Sequence, residues 1–369
     1  MGFMVMTPYK FRKIIYDYYR ANARDLPWRK TRDPYRIFVS ELMLQQTQVE
    51  SVIPKYERFI VAFPDFGALA RAPLRKILAL WKGLGYNRRA LYLKRAAEII
   101  ACDYNGMLPR DVEELAKLPG IGQATASAIA AFAFNKPVVF IETNIRRVFI
   151  HHFFNYGFDN SFAGTGRSSR PARDADTILS AQKFPLSAEN QAFCVCENCR
   201  QKNHRNHTYD YQFFSLEHDD YRCRQGNHPW PQREIDACEI CRTKHRQQSL
   251  ISDAEIFPLV EKMLDRKNPR RWYNALMDYG AMFGKQFPNP NRRSKHYVKQ
   301  KPFEGSDREI RGKILEALLA KSQTEAALIA SIGSTYGVDN SYAERVKKCL
   351  AELQKEGILR YAQDFFTIA

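Results

Sequence analysis

The chain has 369 residues, enough for two or three domains, and its 45% hydrophobic content supports at least one ordinary core. Its 57 Lys and Arg against 40 Asp and Glu leave a net charge of +17, which points to a polyanionic partner, nucleic acid first. The longest nearly apolar run, Ala126 to Phe134, falls short of the roughly 20 residues of a membrane span, and the N-terminal MGFMVMT is too short for a signal peptide; a soluble cytoplasmic, nucleoid-associated monomer with no membrane role is expected.

Residues 8–22 read as an amphipathic helix, with Phe11, Ile14, Ile15, Tyr18 and Tyr19 on one face. A loop broken by Pro27 and Pro34 follows, then one helix through SELMLQQTQVESVIPKYERFI and another from Phe66 to Leu80. After the turn GLGYNRR come a helix from Ala90 to Asp103 and a helical hairpin: Asp111 to Leu118, the turn LPGIG, and Ala124 to Phe134. Only Val138 to Ile141 resembles a strand. The body is expected to be all-α.

The helical register breaks after Phe154. Residues 155–180 are rich in Gly, Ser, Asn and Asp without a sustained period and look like an exposed linker. Six of the eight cysteines lie between Cys194 and Cys241, five of them in CVCENCRQK and DACEICRTK and the sixth, Cys223, between the two. The C-x2-C pairs Cys196/Cys199 and Cys238/Cys241 approach zinc-ribbon spacing, so zinc held by these four thiolates is the expected metal. Cys194, Cys223, His204 and His245 are further candidate ligands. Helical patterning resumes at Asp253 and runs through RRWYNALMDYGAMF. Three units follow: a discontinuous helical domain over 1–154 and 251–296, a Cys-rich insertion over 155–250, and a basic linker with a small tail over 297–369. In that tail, helices over 309–319, 325–332 and 342–356 precede a hairpin of 358–361 and 365–368, which is winged-helix order.

Two stretches carry candidate chemistry. In LPGIG, Pro119 fixes the entry to the turn, and Gly120 and Gly122 permit the φ values and close approach that a phosphate contact needs. Glu142 follows the apolar run 138–141, with Asn144, Arg146 and Arg147 beside it. In SELMLQQTQV, Glu41 is the one acid between Asp33 and Glu50, and Gln45, Gln46 and Gln48 suit base edges or a base stack better than plain solvation. Taken singly, an exposed helix carboxylate and an ordinary helix–helix turn would explain the same residues.

Together the motifs resemble a known family. LPWR (26–29), DPYRIFVSELMLQQTQVESVIPKYERF (33–59), WKGLGYNRRA (81–90), LPGIGQATASAI (118–129), FIETNIRRV (140–148) and LMDYGAM (276–282) are similar, in that order, to adenine DNA glycosylases of the helix-hairpin-helix base-excision superfamily. The resemblance implies a helix-hairpin-helix glycosylase fold and hydrolysis of the N-glycosidic bond of adenine mispaired with 8-oxoguanine or guanine in double-stranded DNA. It assigns Glu41 as general acid toward the purine ring and Glu142 as stabiliser of the sugar cation, with Asn144 as its companion. It assigns Arg24, Leu26, Trp28 and Arg29 to the base pocket, and Leu44, Gln46 and Tyr86, with Gly120 and Gly122, to DNA contact.

The sequence also departs from that family. The second carboxylate is a Glu where the family has Asp. Ala124 stands where bifunctional relatives carry a Lys nucleophile, which implies a monofunctional enzyme without Schiff-base chemistry. The stretch after the MDYGAM helix has no Cys, so the family's 4Fe-4S cluster is not expected there. The tail is not the Nudix-like domain common in relatives. A non-catalytic lesion-binding protein of the same fold, or a mismatch thymine glycosylase, are the alternatives.

Overall fold

The computed structural model describes residues 6–154, 250–286, 288–300, 302–333 and 340–369. The expected insertion, with Cys196, Cys199, Cys238 and Cys241, lies outside these residues apart from Leu250. The rest falls in one compact unit, Met1–Tyr156 with Ile251–Ala369, whose body is all-α among the described residues.

Helix α1 (Pro8–Asn22) starts on Thr7, whose hydroxyl accepts from the Lys10 N–H at 3.3 Å, with Pro8 at the first helical position. It buries Phe11 and Ile15. The Phe11 ring sits 5.2 Å from Phe149 and 5.9 Å from Trp272, drawing the first and last helices of the body onto one aromatic core.

Helices α2 (Pro34–Leu44) and α3 (Val49–Ala62) are separate, where the sequence reads as one helix. Gln46 takes a left-handed φ of 55°, which a right-handed helix excludes. The 66–80 segment divides in the same way into α4 (Phe66–Arg71) and α5 (Leu74–Trp81). Pro73 forces Ala72 out of the helical region, to φ −70°, ψ 138°. Next come α6 (Arg88–Asp103), α7 (Val112–Lys117) and α8 (Gln123–Phe134). α7 is capped by Asp111, whose carboxylate accepts from the Glu113 N–H at 2.9 Å.

Val138 to Ile141 is extended but forms no strand. It pairs with no other segment among the described residues, and the Val138 carbonyl accepts instead from the Tyr273 hydroxyl at 2.8 Å. A side chain from the far end of the chain thus does what a neighbouring strand would do. The run leads into α9 (Thr143–Phe153). The body closes with α10 (Asp253–Met263) and α11 (Pro269–Gln286), the latter packed along α9 and α1.

The tail comprises α12 (Asp307–Ala320), α13 (Glu325–Gly333), α14 (Asn340–Lys355) and an antiparallel hairpin, β1 (Leu359–Ala362) with β2 (Phe365–Ile368). The register runs from Leu359 opposite Ile368 to Ala362 opposite Phe365. Gln363 and Asp364, both left-handed with φ of 51° and 64°, make its two-residue turn. The order is that of a winged helix. It is held to the body by polar contacts: Arg75 donates to the Leu318 carbonyl at 3.2 Å, Lys82 pairs with Glu316 at 2.6 Å, and Arg88 pairs with Glu356.

Candidate active site and nucleic-acid interface

Residues from the Pro27–Arg29 turn, α2, α8, the start of α9 and α11 line a cleft of about 450 Å³. It brings together Arg24, Leu26, Trp28, Arg29, Glu41, Leu44, Gln46, Glu142 and Asn144 from segments more than 100 residues apart. Tyr86, Gly120 and Gly122 are not in its lining; they belong to turns outside it.

Glu41 is carried on the cleft side of α2, one residue beyond buried Ser40 and one before buried Leu42. Burial pushes its carboxyl up to about 8, the negative charge of Glu142 adds to the rise, and Arg29 opposes it. Glu41 therefore holds a proton at neutral pH.

Glu142 sits differently. It is the N-cap of α9, and its Oε1 accepts from the backbone N–H groups of Asn144 at 2.7 Å and Ile145 at 3.1 Å. Its carboxyl is also raised by burial, but those two N–H bonds, and then Arg147 and Arg146, pull the other way. The side chain turns back onto the helix end, where an anion is favoured. Oε2 makes no hydrogen bond among the described residues.

Asn144 is oriented by Arg147, which donates to its Oδ1 at 3.0 Å and to the Gly280 carbonyl at 2.7 Å. The absence of a side chain at 280 is required. A Cβ there would lie 2.4 Å from the Asn144 carbonyl oxygen, so only glycine lets α11 come this close to the start of α9.

Arg24 and Arg29 converge on Asp278 of α11, a residue the sequence motifs did not single out as functional. Arg29 grips it bidentately, at 2.7 and 2.9 Å, and Arg24 donates through Nε at 2.5 Å and through its backbone N–H at 3.0 Å. Burial would raise the Asp278 carboxyl, but Arg29 and then Arg24 hold it below the usual carboxylate range. The available signal was one acid in an apolar helix together with two arginines in an aromatic loop. Nothing in their spacing of some 250 residues connects them.

Arg89 is the second residue missed. It is only 8% exposed, yet donates to the Leu42 and Met43 carbonyls at 2.8 and 2.9 Å, to the Gln45 carbonyl, to Thr47 Oγ1 at 2.8 Å, and to the Leu84 and Gly85 carbonyls at 3.1 and 3.2 Å. One guanidinium thus caps the end of α2 and ties the turn carrying Gln46 to the turn carrying Tyr86. Tyr86 is itself left-handed, with φ 47°. Two bulky residues in this costly conformation, braced by one buried cation, are a pre-set pair.

The hairpin turn separates its two glycines. Gly120 has φ 77°, and a Cβ on it would lie 2.8 Å from Tyr92 Cδ2, so glycine is required twice over. Gly122 has an ordinary φ of −87° and open space around its missing Cβ. The expectation that both glycines serve unusual φ values therefore holds for Gly120 alone. The space at Gly122, at the N-terminus of α8 with its unpaired N–H groups, is suited to a phosphate.

No lysine is among the cleft's lining residues; Ala124 occupies the corresponding surface. After Gly284 the chain reaches Tyr297 without a Cys, so this stretch offers no thiolate set for an iron–sulfur cluster. No group of three or more His, Cys, Asp or Glu is arranged for a metal among the described residues, and no described helix is long and apolar enough to cross a membrane.

Residues 39–160 match the family model of the HhH-GPD superfamily base excision DNA repair protein. The adenine DNA glycosylase of Buchnera aphidicola subsp. Baizongia pistaciae is 44% identical over 149 residues, 40% of this chain and 42% of that protein. The adenine DNA glycosylase of Mycolicibacterium smegmatis is 46% identical over 132 residues, 36% of this chain and 45% of that protein. A thermostable thymine-DNA glycosylase of known structure is 33% identical, with a TM-score of 0.37 over 39% of this chain and 66% of that one. The chain spans under half the length of these two curated relatives.

Proposed function

We propose that this chain, whose residues 39–160 match the family model of the HhH-GPD superfamily base excision DNA repair protein, is a monofunctional glycosylase that removes adenine mispaired with 8-oxoguanine or guanine in double-stranded DNA. The reading is carried by the asymmetric surroundings of two carboxyls in one cleft: Glu41, pushed up by burial and by the charge of Glu142, and Glu142, which accepts two backbone N–H bonds and has arginines near it. Cleaving a purine N-glycosidic bond needs an acid for the base and an anion for the sugar cation.

The target nucleotide leaves the stack, with Gln46, Tyr86 and Leu44 entering or contacting the gap, and its base enters the cleft between Trp28, Leu26 and the Arg24–Arg29 pair. Glu41 gives its proton to a purine ring nitrogen. The C1′–N9 bond breaks with its electron pair going to the base, which departs neutral. Glu142, steadied by the cap and by Asn144, stabilises the sugar cation. Water then adds to C1′, losing its proton to a carboxylate of the pair, and an abasic site remains. Ala124 in the cleft lining, with no lysine there among the described residues, favours hydrolysis without a Schiff-base step. Zinc on Cys196, Cys199, Cys238 and Cys241 remains our proposal for the insertion, to be tested by metal analysis of the purified protein.

The test is single-turnover excision on duplexes with A opposite 8-oxoguanine, A opposite G, and T opposite G. Abasic product from the two adenine duplexes, lost in Glu41→Gln and Glu142→Ala, is the expected result. Product from the T duplex alone would transfer the reading to thymine. Binding without product from any duplex would make the protein a lesion binder.

A further inference from the structure

Residues 285–303 contain six Lys and Arg and no Asp or Glu, and the proposed chemistry uses none of them. The described part of this segment is held along its length, with Arg293 and Lys295 pairing through their backbones with Ile251, and two of its contacts bear on the site. At one end Asn291 Nδ2 donates to the Thr143 carbonyl at 2.9 Å, at the start of the helix that Glu142 caps. At the other end Gln300 Nε2 donates to the Tyr86 hydroxyl at 2.7 Å, and Arg308 reaches the same hydroxyl at 3.2 Å with its guanidinium 5.6 Å from the ring.

Between these points the chain is exposed from Lys295 to Gln300, Val298 at 83%. Arg292, Lys295 and Lys299 are exposed and make no ion pair within 4 Å among the described residues, though the Lys295 charge helps hold the Glu255 carboxyl below its usual range. No residue of 292–300 lines the cleft, so the segment leaves the base slot open. It connects the catalytic helix to the Tyr86 turn, and a duplex engaged by both must pass close to it.

We infer that residues 292–300 form a cationic strap that binds the phosphate backbone of the duplex through Arg292, Lys295 and Lys299. This inference rests on the DNA-binding reading of the cleft and adds a surface to it. Cations along a backbone contribute sequence-independent affinity through counterion release, with log K falling by about 0.9 per phosphate contact for each decade of salt. Gln300 and Arg308 attach the strap to the Tyr86 turn, so its cations stay in register with the residue proposed to enter the stack.

The experiment measures binding of the full chain to a fully matched duplex and to a mispaired duplex across a salt series. The parent is compared with the Arg292→Ala/Lys295→Ala/Lys299→Ala variant. The expected result is a log K against log salt slope shallower by about 3, near 1 per cation removed, with equal weakening on both duplexes. Because all three side chains are exposed, the thermal melt is expected to be unchanged. An unchanged slope overturns the inference, and so does tighter binding by the variant, which would make the strap a cover over Tyr86. The readout needs no base excision: a parent that binds without making abasic product contradicts the catalytic reading and leaves the strap standing.

Discussion

At the residue scale, the two glutamates differ because of what surrounds their oxygens. Glu41 has burial and a like charge; Glu142 has two N–H donors and two arginines working against its burial. Arg29 both pairs with Asp278 and acts on Glu41, so that buried salt bridge sets how much of its positive charge Glu41 feels. Asp278→Asn leaves Arg24 and Arg29 without their anion. Stability is expected to fall by about 3–5 kcal/mol, read in denaturant melts, and any activity that remains is expected to lose its alkaline limb at a lower pH. Glu41 has the opposite effect on stability. Its folded carboxyl is raised above the usual value of 4.5, so the stability it confers is present below pH 4.5 and is lost as pH rises towards 8, at roughly 1.4 kcal/mol for each pH unit climbed between the two values. Glu41→Gln is therefore expected to melt higher than the parent at pH 8.5 and about equal to it at pH 4.5.

At the scale of elements, helix periodicity and capping residues made most helices legible. α1, α6, α8 and the tail hairpin lie within two residues of where apolar spacing and turn residues put them. The break after Leu44 was not legible, because what ends α2 is a guanidinium 45 residues later taking its last carbonyls. Val138–Ile141 read as a strand because an apolar run reports burial, and burial here comes from Tyr273. Asp278 and Arg89 were missed for the same reason: their partners are distant in sequence, or are backbone atoms with no residue signature. The hairpin offers a clean contrast between its glycines. Gly120→Ala is expected to cost about 1–3 kcal/mol from backbone strain and the Tyr92 contact, seen in thermal melts. Gly122→Ala is expected to melt within about 0.5 kcal/mol of the parent, yet bind duplex DNA less well, because its new Cβ fills the space left for a phosphate.

At the scale of the whole molecule, the chain carries a net charge of +17, and buried acids such as Asp278 are held by arginines. The tail is part of that arrangement. Glu356, with a side chain 9% exposed, accepts from Arg88 of the body and Arg311 of the tail, and this pairing holds its carboxyl below the usual range against burial. Glu356→Gln is expected to loosen the docked tail, seen as faster hydrogen exchange across α12 and α14 with the body's core unchanged. The central claim is that Glu41 gives a proton to the base while Glu142, held by two backbone N–H donors, faces the sugar. Its most direct test is the pH dependence of single-turnover adenine excision by the parent and by Glu41→Gln. The account predicts a parent rate that falls as pH rises through about 8, where Glu41 loses its proton, and a Glu41→Gln rate lower by about 10²–10⁴-fold without that alkaline limb. A Glu41→Gln enzyme that matches the parent rate, or keeps the same limb near pH 8, would contradict it.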